Sequence, residues 1–333
     1  MYKLRRDLNY EKEKKALKMW MMFAILSMVL CAMGEMLSNK IVRENTATGP
    51  LMVYSATSFF CFLSAIAMWL VGIGESGASP VGILIEHPLI ILSTASTFLS
   101  SFLMFVAFKY IGVSIEAVIS GVSSIFLFLG LVSINVFTGK LESVKEILAP
   151  GRLIPIVIII VLIFCLSKTD ENNGALSKNG KKHTAMLIGI LIMLFSCIFD
   201  ASDSLIISYC VADNQVGIID FYIATSFMGI LFGAGCFVIA IVKLKNEHIM
   251  YKDCVKRIPA MTIIGILAIS CMLTYMIGSG YDAVKFAMLY IAYPIVPLIG
   301  ARIFLKERYT AKQYFCIFGI AIASIVFCLM DYV

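Results

Sequence analysis

Apolar residues run along this chain in long unbroken blocks, and the charges gather between them. Crossing a hydrocarbon core of roughly 30 Å takes about 20 residues at the helical rise. Ten blocks approach or exceed that length: Met19 to Ile41, Pro50 to Ile73, Pro88 to Phe108, Val113 to Val136, Leu153 to Ser167, Ala185 to Cys210, Gly217 to Val242, Ile258 to Gly278, Ala283 to Phe304 and Ala311 to Asp331. The fifth is the shortest. The pattern predicts an all-α membrane protein of ten transmembrane helices, arranged as two inverted five-helix repeats. The longest polar segment, Lys168 to Thr184, is too poor in apolar residues to build a core and reads as the seam between halves. The expected division is a cytosolic tail (1–18), a first repeat (19–167), a linker (168–184) and a second repeat (185–333).

Composition narrows the function classes. With 60% hydrophobic residues and a mean hydropathy of +0.94, little chain is left for a soluble domain. The phosphate-binding pattern GxxxxGK[ST] is absent, as are HExxH and GxSxG. No enzyme activity and no cofactor are therefore expected. The basic N-terminal segment (Lys3, Arg5, Arg6, Lys12, Lys14, Lys15, Lys18) precedes a 23-residue apolar run with no Ala-x-Ala site, which predicts a retained first helix rather than a secretory signal. The net charge of +6 resides in the tail and loops, where anionic lipid head groups attract it, and nothing beyond that charge points to nucleic acid. Eight of the ten cysteines lie inside apolar spans and none forms CxxC, so they read as small hydrophobes. His87, His183 and His248 fall in loops or at helix ends without zinc spacing, and no metal is expected.

Self-comparison supplies the repeat. The fourth span reads FKYIGVSIEAVISGVSSIFLFLGLVSINVFTGKLE from Phe108; the ninth reads GSGYDAVKFAMLYIAYPIVPLIGARIFLKERY from Gly278. Each has a Gly-containing turn, a small-residue helix ending in Phe (Phe137, Phe304) and a short polar corner before the next helix. The first and sixth spans align without gaps at an offset of 165, which lays Glu35 over Asp200. Two sets of five helices insert in opposite directions because five is odd, as in many secondary transporters whose substrate site lies near the midplane.

From Gly280 to Phe327 the chain resembles the last two helices of an EamA-type module of the drug/metabolite transporter superfamily. The resemblance rests on the turn, the small-residue helix, the corner Phe304 to Arg308, Thr310 and the final helix around Gly319. Phe108 to Phe164 is a weaker match to the same module. The first copy departs at its corner, where Lys140 stands in place of Glu307 and an insert, Leu141 to Arg152, delays the last helix. The resemblance implies a carrier of small organic metabolites or drugs, with the third, fourth, eighth and ninth helices lining a cavity and both termini in the cytosol. It also includes exchangers of nucleotide sugars or sugar phosphates, which would need a basic cavity. A non-transporting scaffold or receptor is the alternative from another class.

Carboxylates deep in a bilayer cost about 2.5 to 3.5 kcal/mol each on insertion scales, so each needs a partner, water or a proton. Three stand in the first and sixth spans: Glu35, Asp200 and Asp203. Asp200 and Asp203 share a face at i, i+3 and together would hold a single proton more readily than two charges. The sharper reading is that this pair, with Glu35 opposite, binds a proton or cationic group in the central cavity; the plainer one is that the acids bond neighbouring helices. Tyr110, Tyr275, Tyr290, Tyr293 and Lys285 are further candidates for substrate contact, and Pro294 and Pro297 mark a hinge in the ninth span. For Lys109, Glu116, Asp282 and Lys285, reaching back to the interface is the default. Small residues Ser93, Thr97 and Ser100 in the third span and Thr225, Gly229 and Gly233 in the seventh read as close-packing faces.

With the N-terminus inside, eleven basic residues fall on the cytosolic side and sixteen on the other, so the two halves disagree under the positive-inside rule. The N-in arrangement follows the first helix and the resemblance. Expected partners are the lipid bilayer and a small-molecule substrate, with a homodimer open. A bacterial cell membrane is favoured over a eukaryotic endomembrane, since Asp331-Tyr332-Val333 carries no retrieval signal.

Overall fold

The structure is a computed structural model that describes residues 2–44, 48–74, 76–137, 154–155, 157–162, 165, 181–212, 216–246, 257–281, 293 and 295–329. Among the described residues there is no strand, and eleven helices follow one another: α1 (Tyr2–Glu44), α2 (Gly49–Val71), α3 (Pro80–Glu86), α4 (Leu89–Ala107), α5 (Val113–Ser120), α6 (Ser123–Phe137), α7 (Lys181–Ala212), α8 (Ile218–Asn246), α9 (Ile258–Tyr281), α10 (Ile295–Phe304) and α11 (Ala311–Leu329). Six contain stretches long and apolar enough to cross a membrane, from Met21–Glu44 in α1 to Ile258–Tyr275 in α9. Large apolar side chains stay uncovered on their outer faces, among them Ile25, Met33, Phe59, Leu231 and Phe237. In water such surface would aggregate; around a bundle of this hydropathy it is the surface lipid covers. The chain is an α-helical, multi-pass membrane protein.

Several boundaries differ from expectation for local reasons. The N-terminal tail is helical from Tyr2 and continuous with the first span. Helix α7 begins at Lys181, so the last residues of the expected linker are helical, while residues 166–180 lie outside the described residues; of the fifth span, residues 154–155, 157–162 and 165 are described and helical. Helix α3 was not anticipated: Ser79 caps it by accepting the Gly82 N–H at 3.0 Å, with Pro80 at the first helical position. The fourth span is two helices rather than one. After Ser120, whose hydroxyl donates to Ala117 O at 2.8 Å, the Val122 N–H bonds Ile119 O at 2.8 Å, and α6 starts afresh at Ser123. Gly72 ends α2 at φ 73, a left-handed residue that lets the Gly72 and Ile73 N–H groups reach Trp69 O and Met68 O.

The halves interleave. Helix α4 packs along α7, α1 along α9 and α2 along α8, while α9 also meets α2 and α8 also meets α4. Helix α1 touches α10, and α7 touches α5 and α6. Close approach is built from small residues. The Ser55 hydroxyl of α2 donates to Gly233 O of α8 at 2.9 Å, and a Cβ at Gly233 would stand 2.6 Å from Ser58 Cβ. Gly233→Val is expected to push α2 and α8 apart and lower stability by about 1 to 3 kcal/mol. Denaturant titration in detergent micelles checks this; an unchanged midpoint would mean the contact is loose.

Candidate functional site

Helix α7 places Asp203 and Asp200 one turn apart, but their surroundings differ. Asp203 faces α4, where the Ser93 hydroxyl donates to its Oδ1 and Thr97 lies within hydrogen-bonding reach. The seam continues along the same two helices: the Ser196 hydroxyl donates to Ser100 O at 2.8 Å, and the two hydroxyls stand 3.3 Å apart. The α4 residues read from the sequence as a packing face therefore also supply the polar partners of α7.

Asp200 has Ser123, the first residue of α6, as its hydrogen-bond neighbour, Cys197 one turn before it and Tyr275 of α9 within electrostatic reach. It nevertheless remains exposed. This accessible carboxylate is thus flanked by residues of three helices. Tyr275 is itself 38% exposed.

Glu35 was expected opposite the two aspartates. The structure gives it other company. Its Oε1 accepts from Cys31 Sγ at 3.6 Å, the Tyr293 phenol lies beside it, and the Glu116 carboxyl of α5 is its electrostatic neighbour. Glu116 overturns the interfacial expectation: it is 1% exposed. Its position as the fourth residue of α5 fixes depth along the chain but not direction, and that direction is inward, against α1.

Tyr110 stands apart from these groups. It packs beside Gly189, where an added Cβ would lie 2.7 Å from Tyr110 Cβ. Gly189 is eleven residues before Asp200, about 16 Å along the helix. Asp282, Lys285, Tyr290 and Pro294 lie outside the described residues. Pro297 is buried in the first turn of α10, where an amide hydrogen has no intrahelical acceptor, so it removes no helix bond.

A second polar assembly, which the sequence analysis did not foresee, ties three segments together at one end of the bundle. Glu307 lies in the corner after α10, which turns through Lys306 at φ 55 and is held by the Glu307 N–H on Ala301 O at 3.2 Å. The Glu307 carboxylate accepts the Val113 N–H at 3.3 Å and the Ser114 hydroxyl at 3.1 Å, capping the start of α5, and also accepts from the Tyr309 hydroxyl. Arg43 of α1 approaches it at 3.9 Å and donates through Nε to Phe108 O at 3.4 Å. A Cβ at Gly112 would sit 2.5 Å from Glu307 Oε1, so a larger residue there would displace the carboxylate. Burial, reinforced by the Glu307 charge, pushes the Tyr309 phenol well above its ordinary pKa, so it remains a donor. At the same end, burial and then Lys243 pull Lys109 below the usual lysine value.

A separate cleft of about 230 Å³ opens between α3 and the start of α8, lined by Ser76, Glu86, His87 and Asp220 among others. Asp220 is already engaged there by the Ser76 N–H at 2.8 Å. The intramembrane acids, whose position demands a reason, lie elsewhere.

No family model matches the chain, and no curated protein matches it. Solved structures do. One, described only as the crystal structure of a protein, is 13% identical, with 95% of this chain and 98% of that one covered at a TM-score of 0.52. At that identity the likeness bears on fold alone.

Proposed function

We propose that this chain is a secondary carrier that moves a small organic metabolite or drug across a membrane by alternating access, with proton coupling. The observation that carries the reading is the accessible Asp200 set among Ser123, Cys197 and Tyr275. An ionisable group within membrane-spanning helices is costly and marks a substrate or ion pathway by default, which a carrier uses and a scaffold does not.

The helix pairings support a duplicated plan of two five-helix repeats. Exchanging α1 with α7, α2 with α8 and α4 with α9 turns the α1–α9 pair into α7–α4, the α2–α9 pair into α8–α4, and leaves α2–α8 unchanged. The offset of 165 lays Cys31 over Ser196 and Glu35 over Asp200. Cys31 meets Cys271 on α9, while Ser196 meets Ser100 on α4, and these are equivalent helices under the exchange. The break between α5 and α6 beside Asp200 fits the same reading, since transporters place discontinuous helices at their binding sites. The acids make a proton or a cationic or neutral solute the better cargo than a sugar phosphate.

Reconstituted into proteoliposomes, the protein is expected to give saturable flux of one class among amino acids, nucleosides, sugar phosphates and cationic drugs, at least severalfold above empty vesicles and altered by a pH gradient. Flux of none would leave a scaffold or receptor as the reading.

A further inference from the structure

Glu116 is used by nothing described so far. It sits at the fourth position of α5 with 1% of its surface exposed, and its Oε2 has no hydrogen-bond partner. Glu35 Oε2 is likewise buried without one. The two carboxyls are electrostatic neighbours, and Tyr293 is a neighbour of both. Among the described residues the ion pair recorded is Arg43 with Glu307, so neither Glu35 nor Glu116 is matched by a cation there. The cluster lies within a greasy part of the bundle that includes Met28, Ala32, Met36, Phe105 and Ile264.

Two carboxylates in such a place cannot both keep their charge without a cation, because each ion loses its water and repels the other. A proton held by the pair removes one charge and with it the repulsion between the two carboxyls. We infer that Glu35 and Glu116 form a buried carboxyl pair that binds one proton, a protonation site separate from Asp200. The other titratable groups facing this pair are Cys31 on α1, Tyr293, and Cys197 on α7; Cys271 of α9 and Asp200 lie one neighbour further out, against Cys31 and Cys197. None of these brings a positive charge. The pair lies against α1 and α5, so its occupancy is sensitive to how those two helices meet; its role in coupling rests on the carrier reading, whereas proton binding itself does not.

The test uses the purified full-length protein in lipid and dicyclohexylcarbodiimide, which enters apolar surroundings and reacts with protonated carboxyls. Peptide mass spectrometry at neutral pH is expected to find about one adduct per chain shared between Glu35 and Glu116, falling at least fivefold when the pH is raised by three units. Infrared spectra of the same samples should show a protonated-carboxyl carbonyl band that is lost in the Glu35→Gln/Glu116→Gln double variant. Adducts and band absent from both residues would overturn the inference. So would protection by sodium ions at constant pH, which would make the pair a metal-cation site. All these readouts are taken without flux. A protein that binds the proton yet transports nothing sinks the carrier reading and leaves this one standing.

Discussion

Replacing Glu307 with alanine is expected to lower stability by about 3 to 5 kcal/mol, the loss typical of removing one member from a mostly buried, charge-assisted network. The side chain is 8% exposed and serves three donors at once: the Val113 N–H, the Ser114 hydroxyl and the Tyr309 hydroxyl. Without it, the start of α5 loses its cap and the corner loses its hold on the other half of the chain. Glu307→Gln keeps an acceptor and should lose less than half as much. Arg43→Ala should lose under about 1 kcal/mol, because Arg43 is 41% exposed and stands at 3.9 Å. Denaturant unfolding in micelles ranks the three. If Arg43→Ala matched Glu307→Ala, the ion pair and not the cap would hold this end together.

The largest functional effect should come from Asp200→Asn. The exchange keeps size and hydrogen bonding to Ser123 but removes the titratable charge, so flux driven by a pH gradient should fall about tenfold or more, equivalent to about 1.4 kcal/mol or more of barrier. The rate that remains should lose its dependence on pH. Asp203→Asn differs because Ser93 and Thr97 already occupy that carboxylate. There the expected change is a lower unfolding midpoint with flux within a fewfold of the parent. Equal loss of pH dependence in both variants would mean that the two acids act as one unit, as the i, i+3 spacing alone implied.

The contrast between these aspartates shows what the chain disclosed before folding. Long apolar blocks announced the helices because each must satisfy its own backbone in lipid, and the described spans follow them closely. The break at Ser120 to Ser123 was missed, although its small and polar residues stood in plain view, because the run stays apolar on either side. Glu116 was assigned to the interface since sequence position measures depth and says nothing of azimuth; only the packing of α1 and Tyr293 near it decides. The corner Glu307 was visible as part of a family-like motif, but its work is done on Val113, nearly two hundred residues earlier, and no local pattern records such a partner.

The interleaving of the two halves has a consequence for how the chain is made. Helix α1 leaves the ribosome long before α9 exists, and α4 before α7, yet those are the surfaces against which they are built. During synthesis Ser27, Ser93 and Ser100 therefore face lipid or insertion machinery without their later partners Cys271, Asp203 and Ser196. The nascent first half is a set of inserted helices awaiting assembly, and completion comes only when the last corner delivers its carboxylate to the start of α5.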